Sequence, residues 1–138
     1  MSTESDLNVK IRAEFINSGY DVRYLFQAYT FVLQGLEFFL AKTGEKKHVS
    51  GDKLAYGLAE FAYRQFGPLA IKVLASWGIH ETDDFGFIVF NLIKIGAMSK
   101  QESDKVEDFF NVFSLKEYFE NIDYYIIDKN LVRNIQGA

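Results

Sequence analysis

The sequence predicts a mainly α-helical domain with a small β-hairpin, winged helix-turn-helix-like from residue 50 onward. Three observations carry this. Helix punctuation recurs at short intervals: Ser50-Gly51-Asp52, Gly67-Pro68, Trp77-Gly78 and Thr82-Asp83-Asp84 read as starts and stops. Between them, apolar residues repeat at steps of three and four. After the last, residues 97–100 and 106–110 can pair across the polar stretch 101–105.

The elements follow in order. Residues 1–6 are polar and acidic, which predicts a disordered start without the basic, apolar character of a leader. Residues 7–16 place Leu7, Ile11 and Phe15 four apart, with Asp6 as N-cap and Gly19 as stop. Residues 20–40 form a longer helix on Leu25, Tyr29, Val32, Leu33, Leu36 and Phe39; the aromatic stretch 24–31 competes as a strand, but Gln27 and Ala28 break its alternation. Residues 43–49 are a loop. Together with Lys42, its Lys46, Lys47 and His48 make the one basic cluster of the chain.

Ser50 then caps a helix with Asp52 in its first turn, where a carboxylate meets the positive end of the dipole. Leu54, Leu58, Phe61 and Ala62 form its buried stripe. Gly67 suits a helix stop and Pro68 the first position of the next helix, which carries Leu69, Val73, Leu74 and Trp77 and stops at Gly78. Thr82 reads as the N-cap of a helix over 83–95 that is apolar nearly all round. Such a helix is buried or docks a partner. Ser114-x-x-Glu117 is a capping-box pattern for a short helix through Phe119. Residues 120–138 are a tail without an assigned structure, in which 124–127 suit a strand or a docking segment. No repeat or linker divides residues 1–138, so one domain is predicted.

Composition bounds the function. Apolar residues make up 49% and charged residues 25%, an ordinary globular balance, and aromatics reach 17%. Surplus aromatics beyond those a core needs often end in an interface. The absence of cysteine removes disulfides, thiolate metal sites and cysteine nucleophiles, and makes an intracellular setting the default. The apolar run 85–95 is broken by Gly86, Asn91 and Lys94 and is too short to span a bilayer, so a soluble, cytoplasmic protein without membrane association is expected. Net charge is −4, which argues against nucleic acid, whose affinity rests on neutralising phosphates.

Several strings together resemble a family of short bacterial proteins of unknown function known from planctomycetes and verrucomicrobia. They are Ala28-Tyr29-x-Phe31-Val32, His48-Val49-Ser50-Gly51-x-x-Leu54, Gln65-Phe66-Gly67-Pro68-Leu69-Ala70, Val73-Leu74-x-x-Trp77-Gly78-Ile79 and Thr82-x-Asp84-Phe85-Gly86-x-Ile88-Val89-Phe90-Asn91-Leu92. Ser99-Lys100 and Glu107-Asp108-Phe109 follow. The resemblance covers roughly residues 24–119. It implies one compact intracellular bacterial domain and brings no activity, substrate or site residue with it.

Candidate chemistry is sparse. Asp83 and Asp84 beside His80 and Glu81 imitate a metal or acid–base site, but adjacent helix positions do not face each other, and a helix start attracts acids through its dipole alone. Lys46, Lys47, His48 and Ser50 form the candidate anion contact, with the free amides of the helix start as a cradle; the simpler reading is that Ser50 caps and His48 packs. Trp77, Phe85, Phe87 and Phe90 suit a core better than a ligand box. No nucleophile-elbow, zincin, dinucleotide or P-loop motif occurs.

Charge also tests the winged-helix expectation. Between residues 79 and 113, seven acids stand against Lys94, Lys100 and Lys105, which accounts for the entire net charge of −4. A recognition helix needs Arg, Lys, Asn or Gln near its start, and here those places hold Asp83, Asp84 and Phe85. The expected function is a non-enzymatic protein-interaction module, binding a protein partner or itself, with no metal and no cofactor. Two readings stay beside it: a nucleic-acid-binding regulator using Lys42, Lys46, Lys47 and Arg64, and an enzyme built on a carboxylate or on His48.

Overall fold

A computed structural model describes residues 3–44, 49–99 and 104–122. Helix α1 (Thr3–Ile11) continues into a π-helical turn (Arg12–Asn17), and α2 (Phe26–Thr43), α3 (Gly51–Phe66), α4 (Ala70–Ser76), α5 (Thr82–Lys94) and α6 (Leu115–Glu120) follow. Short 3-10 turns at Gly67–Leu69 and Val106–Phe109 complete the order. The expected helix starts at Asp6 and residue 7 move forward to Thr3. Ser18 closes the first helical unit: its hydroxyl donates to the Glu14 carbonyl at 2.7 Å and accepts from the Tyr20 N–H at 3.2 Å.

The expected helix over 20–40 begins six residues late, at Phe26. The backbone donors of the preceding loop go elsewhere: the Arg23 N–H to the Asp21 carboxylate at 3.1 Å, and the Leu25 N–H to the Trp77 carbonyl at 3.3 Å. A side chain and a neighbouring helix end thus offer the chain an alternative to the helical ladder.

Helices α2 and α3 pack along one another. The contact is close because each lacks a Cβ where the other projects. Leu58 sits against Gly35 and Phe39 against Gly57, so a side chain added at either glycine would collide with the facing residue. Ala55, Ala59 and Ala62 keep the rest of the α3 face shallow and are fully buried. Phe15, Tyr24, Tyr29 and Phe85 supply the largest fully buried side chains. Trp77 packs 5.6 Å from both Phe31 and Phe66, so it and Phe85 belong to the core, as the helical spacing predicts.

Two helix ends share one chain-reversing geometry. At α4, the Gly78 N–H donates to the Ala75 carbonyl at 3.0 Å and the Ile79 N–H to Leu74 at 2.9 Å. At α5, Gly96 donates to Ile93 at 3.0 Å and Ala97 to Leu92 at 2.9 Å. The pattern needs a left-handed residue, and Gly78 (φ 96°) and Gly96 (φ 80°) supply it.

Among the described residues neither the expected hairpin nor the winged helix is present. Among the described residues there is no strand, and the expected second strand, 106–110, is instead the 3-10 turn Val106–Phe109. Val106 and Phe109 stand three apart, the period at which 3-10 side chains align. Phe109 is buried where Gly51 of α3 and Gly86 of α5 both leave space, with a Cβ at either coming within 3.0 Å of its side chain. Tertiary packing of one ring therefore decides the geometry of this segment. Lys100 of the expected first strand lies outside the described residues, as does the tail 123–138 with its run 124–127. Helix α6 starts as its capping pattern predicts, with the Ser114 hydroxyl accepting from the Glu117 N–H at 3.2 Å.

Candidate functional site

The acidic start of α5 resolves into structural roles. Its N-cap is Glu81 rather than the expected Thr82. Thr82 is fully buried and its hydroxyl accepts from the Val112 N–H at 3.1 Å. Asp83 accepts from the Asn111 N–H at 2.8 Å. Asp84 accepts from the N–H groups of His80 and Glu81 at 2.8 and 3.1 Å through Oδ2, and from the Tyr24 hydroxyl at 2.6 Å through Oδ1. Three adjacent residues thus tether two other pieces of chain, 111–112 and Tyr24. Among the described residues no three His, Asp or Glu side chains converge as a metal site.

Beside this lies a buried polar network that sequence reasoning missed. The Asp21 carboxylate is nearly covered. It accepts from Arg23 Nε at 2.9 Å, from Arg23 Nη2 at 2.7 Å and from Asn91 Nδ2 at 2.9 Å. Asn91 also donates to the Tyr29 hydroxyl at 3.1 Å. Burial by itself would raise the Asp21 pKa, but the hydrogen bonds from Arg23 and Asn91 outweigh it and hold the group below the ordinary carboxylate range. Burial, reinforced by the bond to Asp84, carries the Tyr24 hydroxyl well above the ordinary phenol value. Burial pushes Tyr29 up to about 12. Phenols held neutral in this way donate or accept hydrogen bonds at neutral pH and do not act as bases. The cluster fastens the loop before α2 to α5.

The basic cluster is only partly visible. Lys46, Lys47 and His48 lie outside the described residues. Ser50 occupies the N-cap position of α3, but its side chain caps no helix amide. It hydrogen-bonds the Asp52 carboxyl, which is held below its ordinary range chiefly for that reason. Asp108 packs against Gly51, so two acids of the chain itself stand at this helix start. Lys42 and Arg64 both bind the half-buried Glu60, Arg64 at 2.9 Å. Burial would raise the Glu60 pKa, but these two cations more than offset it.

The remaining feature is a groove of about 1100 Å³. Helix α2 contributes Leu33, Leu36 and Leu40. Helix α5 and its exit contribute Val89, Phe90, Ile93, Ile95 and Met98, and Leu7, Leu54 and Phe109 add further apolar surface. Asp6, Glu37, Asp104 and Asp108 accompany these, against Lys10 and Lys105. The α2 residues form a stripe distinct from the one that meets α3, and Phe90 and Ile93 are the surplus apolar face of α5. That surplus is legible in the sequence; its pairing with the second stripe of α2 is not.

No helix of the described residues is long and apolar enough to cross a membrane. No protein-family model, no curated protein and no solved structure matches this chain.

Proposed function

We propose that this chain is a non-enzymatic interaction module of the bacterial cytosol and that the groove between α2 and α5 receives an apolar segment of a protein partner. The groove itself carries the reading. It has a mainly apolar lining, a mixed but mostly acidic polar set, and a volume of about 1100 Å³, at the upper end of the range for ligand pockets. An amphipathic helix laid into such a groove buries three or four anchors and leaves its polar side wet. The resemblance of several strings to an uncharacterised bacterial family is consistent with a bacterial setting, and the lack of cysteine with an intracellular one.

The competing readings have less to stand on. The strongest carboxylate clusters are spent on caps and tethers at Asp21, Asp84 and Glu60. Of the four cations suggested for nucleic acid, Lys42 and Arg64 are held by Glu60.

The test is a titration of basic, amphipathic helical peptides followed by backbone amide shifts. Saturable shifts at Leu36, Phe90, Ile93 and Met98 are expected, and Leu36→Lys should abolish them while leaving the melting temperature within a few degrees. Peptides that shift only residues outside the groove, or none, would count against the proposal.

A further inference from the structure

We propose that residues 20–24 are a strap that regulates the groove: by fastening α5 where it meets α2, they hold the groove walls apart in the form that accepts a guest. This rests on reading the groove as a docking site.

The strap and α5 run antiparallel and meet in order. The Lys94 ammonium lies 3.6 Å from the centre of the Tyr20 ring, and Asn91 donates to the Asp21 carboxylate at 2.9 Å. The Arg23 guanidinium lies 4.4 Å from the centre of the Phe87 ring, and the Tyr24 hydroxyl donates to Asp84 at 2.6 Å. The α5 partners stand at steps of three and four, so they share one helix face. Ten residues of helix rise ~15 Å and four steps of extended chain span ~13 Å, so the strap covers the length of that face. Val22, between the two pairs of contacts, is left 66% exposed.

The groove begins where the strap is fastened. Tyr29, Leu33, Leu36 and Leu40 recur at steps of four, three and four along α2 and share one face. Tyr29 heads this stripe and accepts from Asn91 at 3.1 Å, and the three leucines beyond it line the groove. The two helices therefore meet at Asn91, and the groove opens past that junction. Val89, Phe90 and Ile93 bring another side of α5 to the same groove. Facing apolar walls in water gain by closing on each other, so a contact elsewhere must hold them apart. Asn91 is placed to do so, because its one amide group bonds the strap and α2 at once. With the strap engaged, the groove stands open at about 1100 Å³. Released, α5 is free to turn its apolar side onto Leu33 and Leu36. A groove formed in advance spares its guest the cost of forming it. By reciprocity, a guest that needs the strapped form tightens the strap.

The experiment uses the full chain with nitroxide labels at Gln34→Cys and Ser99→Cys, two exposed groove positions in a protein without cysteine. Pulsed dipolar spectroscopy is expected to give one narrow distance distribution. Asn91→Ala should broaden it and move it to shorter values. The same change should weaken binding of a basic Leu–Lys helical peptide of ~18 residues, by ~tenfold if one chain in ten keeps the strapped form. Tyr20→Ala spares the buried network and guards against a variant that fails to fold. It should weaken binding by about two- to fivefold, the worth of an exposed cation–π contact. In the other direction, the peptide should slow hydrogen exchange at the Arg23 and Leu25 amides. Ser114→Ala removes the α6 cap and should lower stability without moving distance or affinity. Distances and affinities unmoved by both strap variants would overturn the inference and leave the docking site standing. An equal effect from Ser114→Ala would overturn it too, since general loosening would then suffice. A strap-dependent distance without peptide binding would uphold the strap's hold on the groove and remove the docking reading. Absence of both would remove both.

Discussion

The Tyr24 hydroxyl donates to Asp84 Oδ1 at 2.6 Å, joining residues 60 apart in sequence. Tyr24 is 1% exposed, so the bond cannot be replaced by water without opening the fold. The same carboxylate holds the first turn of α5 through the His80 and Glu81 amides. One side chain thus fixes both a helix start and the loop that leads into α2.

Tyr24→Phe keeps the ring and removes one donor to a carboxylate. A loss of ~1.5–3 kcal/mol is expected, the usual size for a hydrogen bond to a charged group. Asp84→Ala should cost more, because it also leaves two helix-start amides without their acceptor. In urea unfolding, the double variant should lose less than the sum of the singles. Full additivity would show that the pair does not act together.

Stability should fall at both ends of the pH scale, for opposite reasons. Tyr24 and Tyr29 ionise less readily folded than unfolded, so their contribution is complete below about pH 10. It is lost as pH climbs, and for Tyr29 toward about 12. Asp21 and Glu60 have lowered folded values, so their contribution is complete above about pH 4–5 and disappears as pH drops below that. Phenolate absorbance should rise for these two tyrosines only together with unfolding. Titration of both in the folded state near pH 10 would contradict the account.

Gly78→Ala and Gly96→Ala separate backbone strain from collision. Both glycines have positive φ, which costs about 1 kcal/mol or more for alanine. Nothing lies within 4 Å of a Cβ at Gly96, whereas one at Gly78 runs into the Arg23 carbonyl oxygen. Gly78→Ala should therefore lower the melting temperature clearly more than Gly96→Ala. Equal effects would mean that the Arg23 carbonyl yields without cost.

The unchanged protein is expected not to bind duplex DNA at sub-micromolar concentration in physiological salt. Glu60→Gln releases Lys42 and Arg64 from their shared carboxylate, and weak, salt-sensitive retention should then appear. A mobility-shift assay reads both. Tight binding by the unchanged chain that disappears with Asn91→Ala or Lys94→Ala would revive the recognition-helix idea.

Much of the helical layout is legible locally. Gly78 and Gly96 stop helices because a left-handed residue is required there, and Leu54, Leu58, Phe61 and Ala62 mark one face of α3 by spacing alone. Ser114 and Glu117 announce α6 by their own chemistry. What fails is decided at a distance. Residues 106–110 can pair as half of a hairpin, but the geometry of Val106–Phe109 follows from the space left by Gly51 and Gly86. Thr82 looks like a cap, yet its hydroxyl serves Val112. Residues 20–25 have helical spacing, but Asp21 draws the Arg23 amide away. The groove was half visible: a helix apolar on every side signals an unpaired face without naming what lies opposite it.

Phe109 has a mechanical meaning as well. Its ring is wedged between the first turn of α3 and the second turn of α5, and it also lines the groove. Prising α5 away from α3 to admit a thicker guest unseats that wedge, and the wedge cannot slip while Gly51 and Gly86 close on it from both sides. The mouth of the groove and the root of α3 are thereby latched to one aromatic ring. A guest that widens the mouth should speed hydrogen exchange at the Leu54 amide, whose bond to the Ser50 carbonyl at 3.0 Å opens the helix ladder beside the ring.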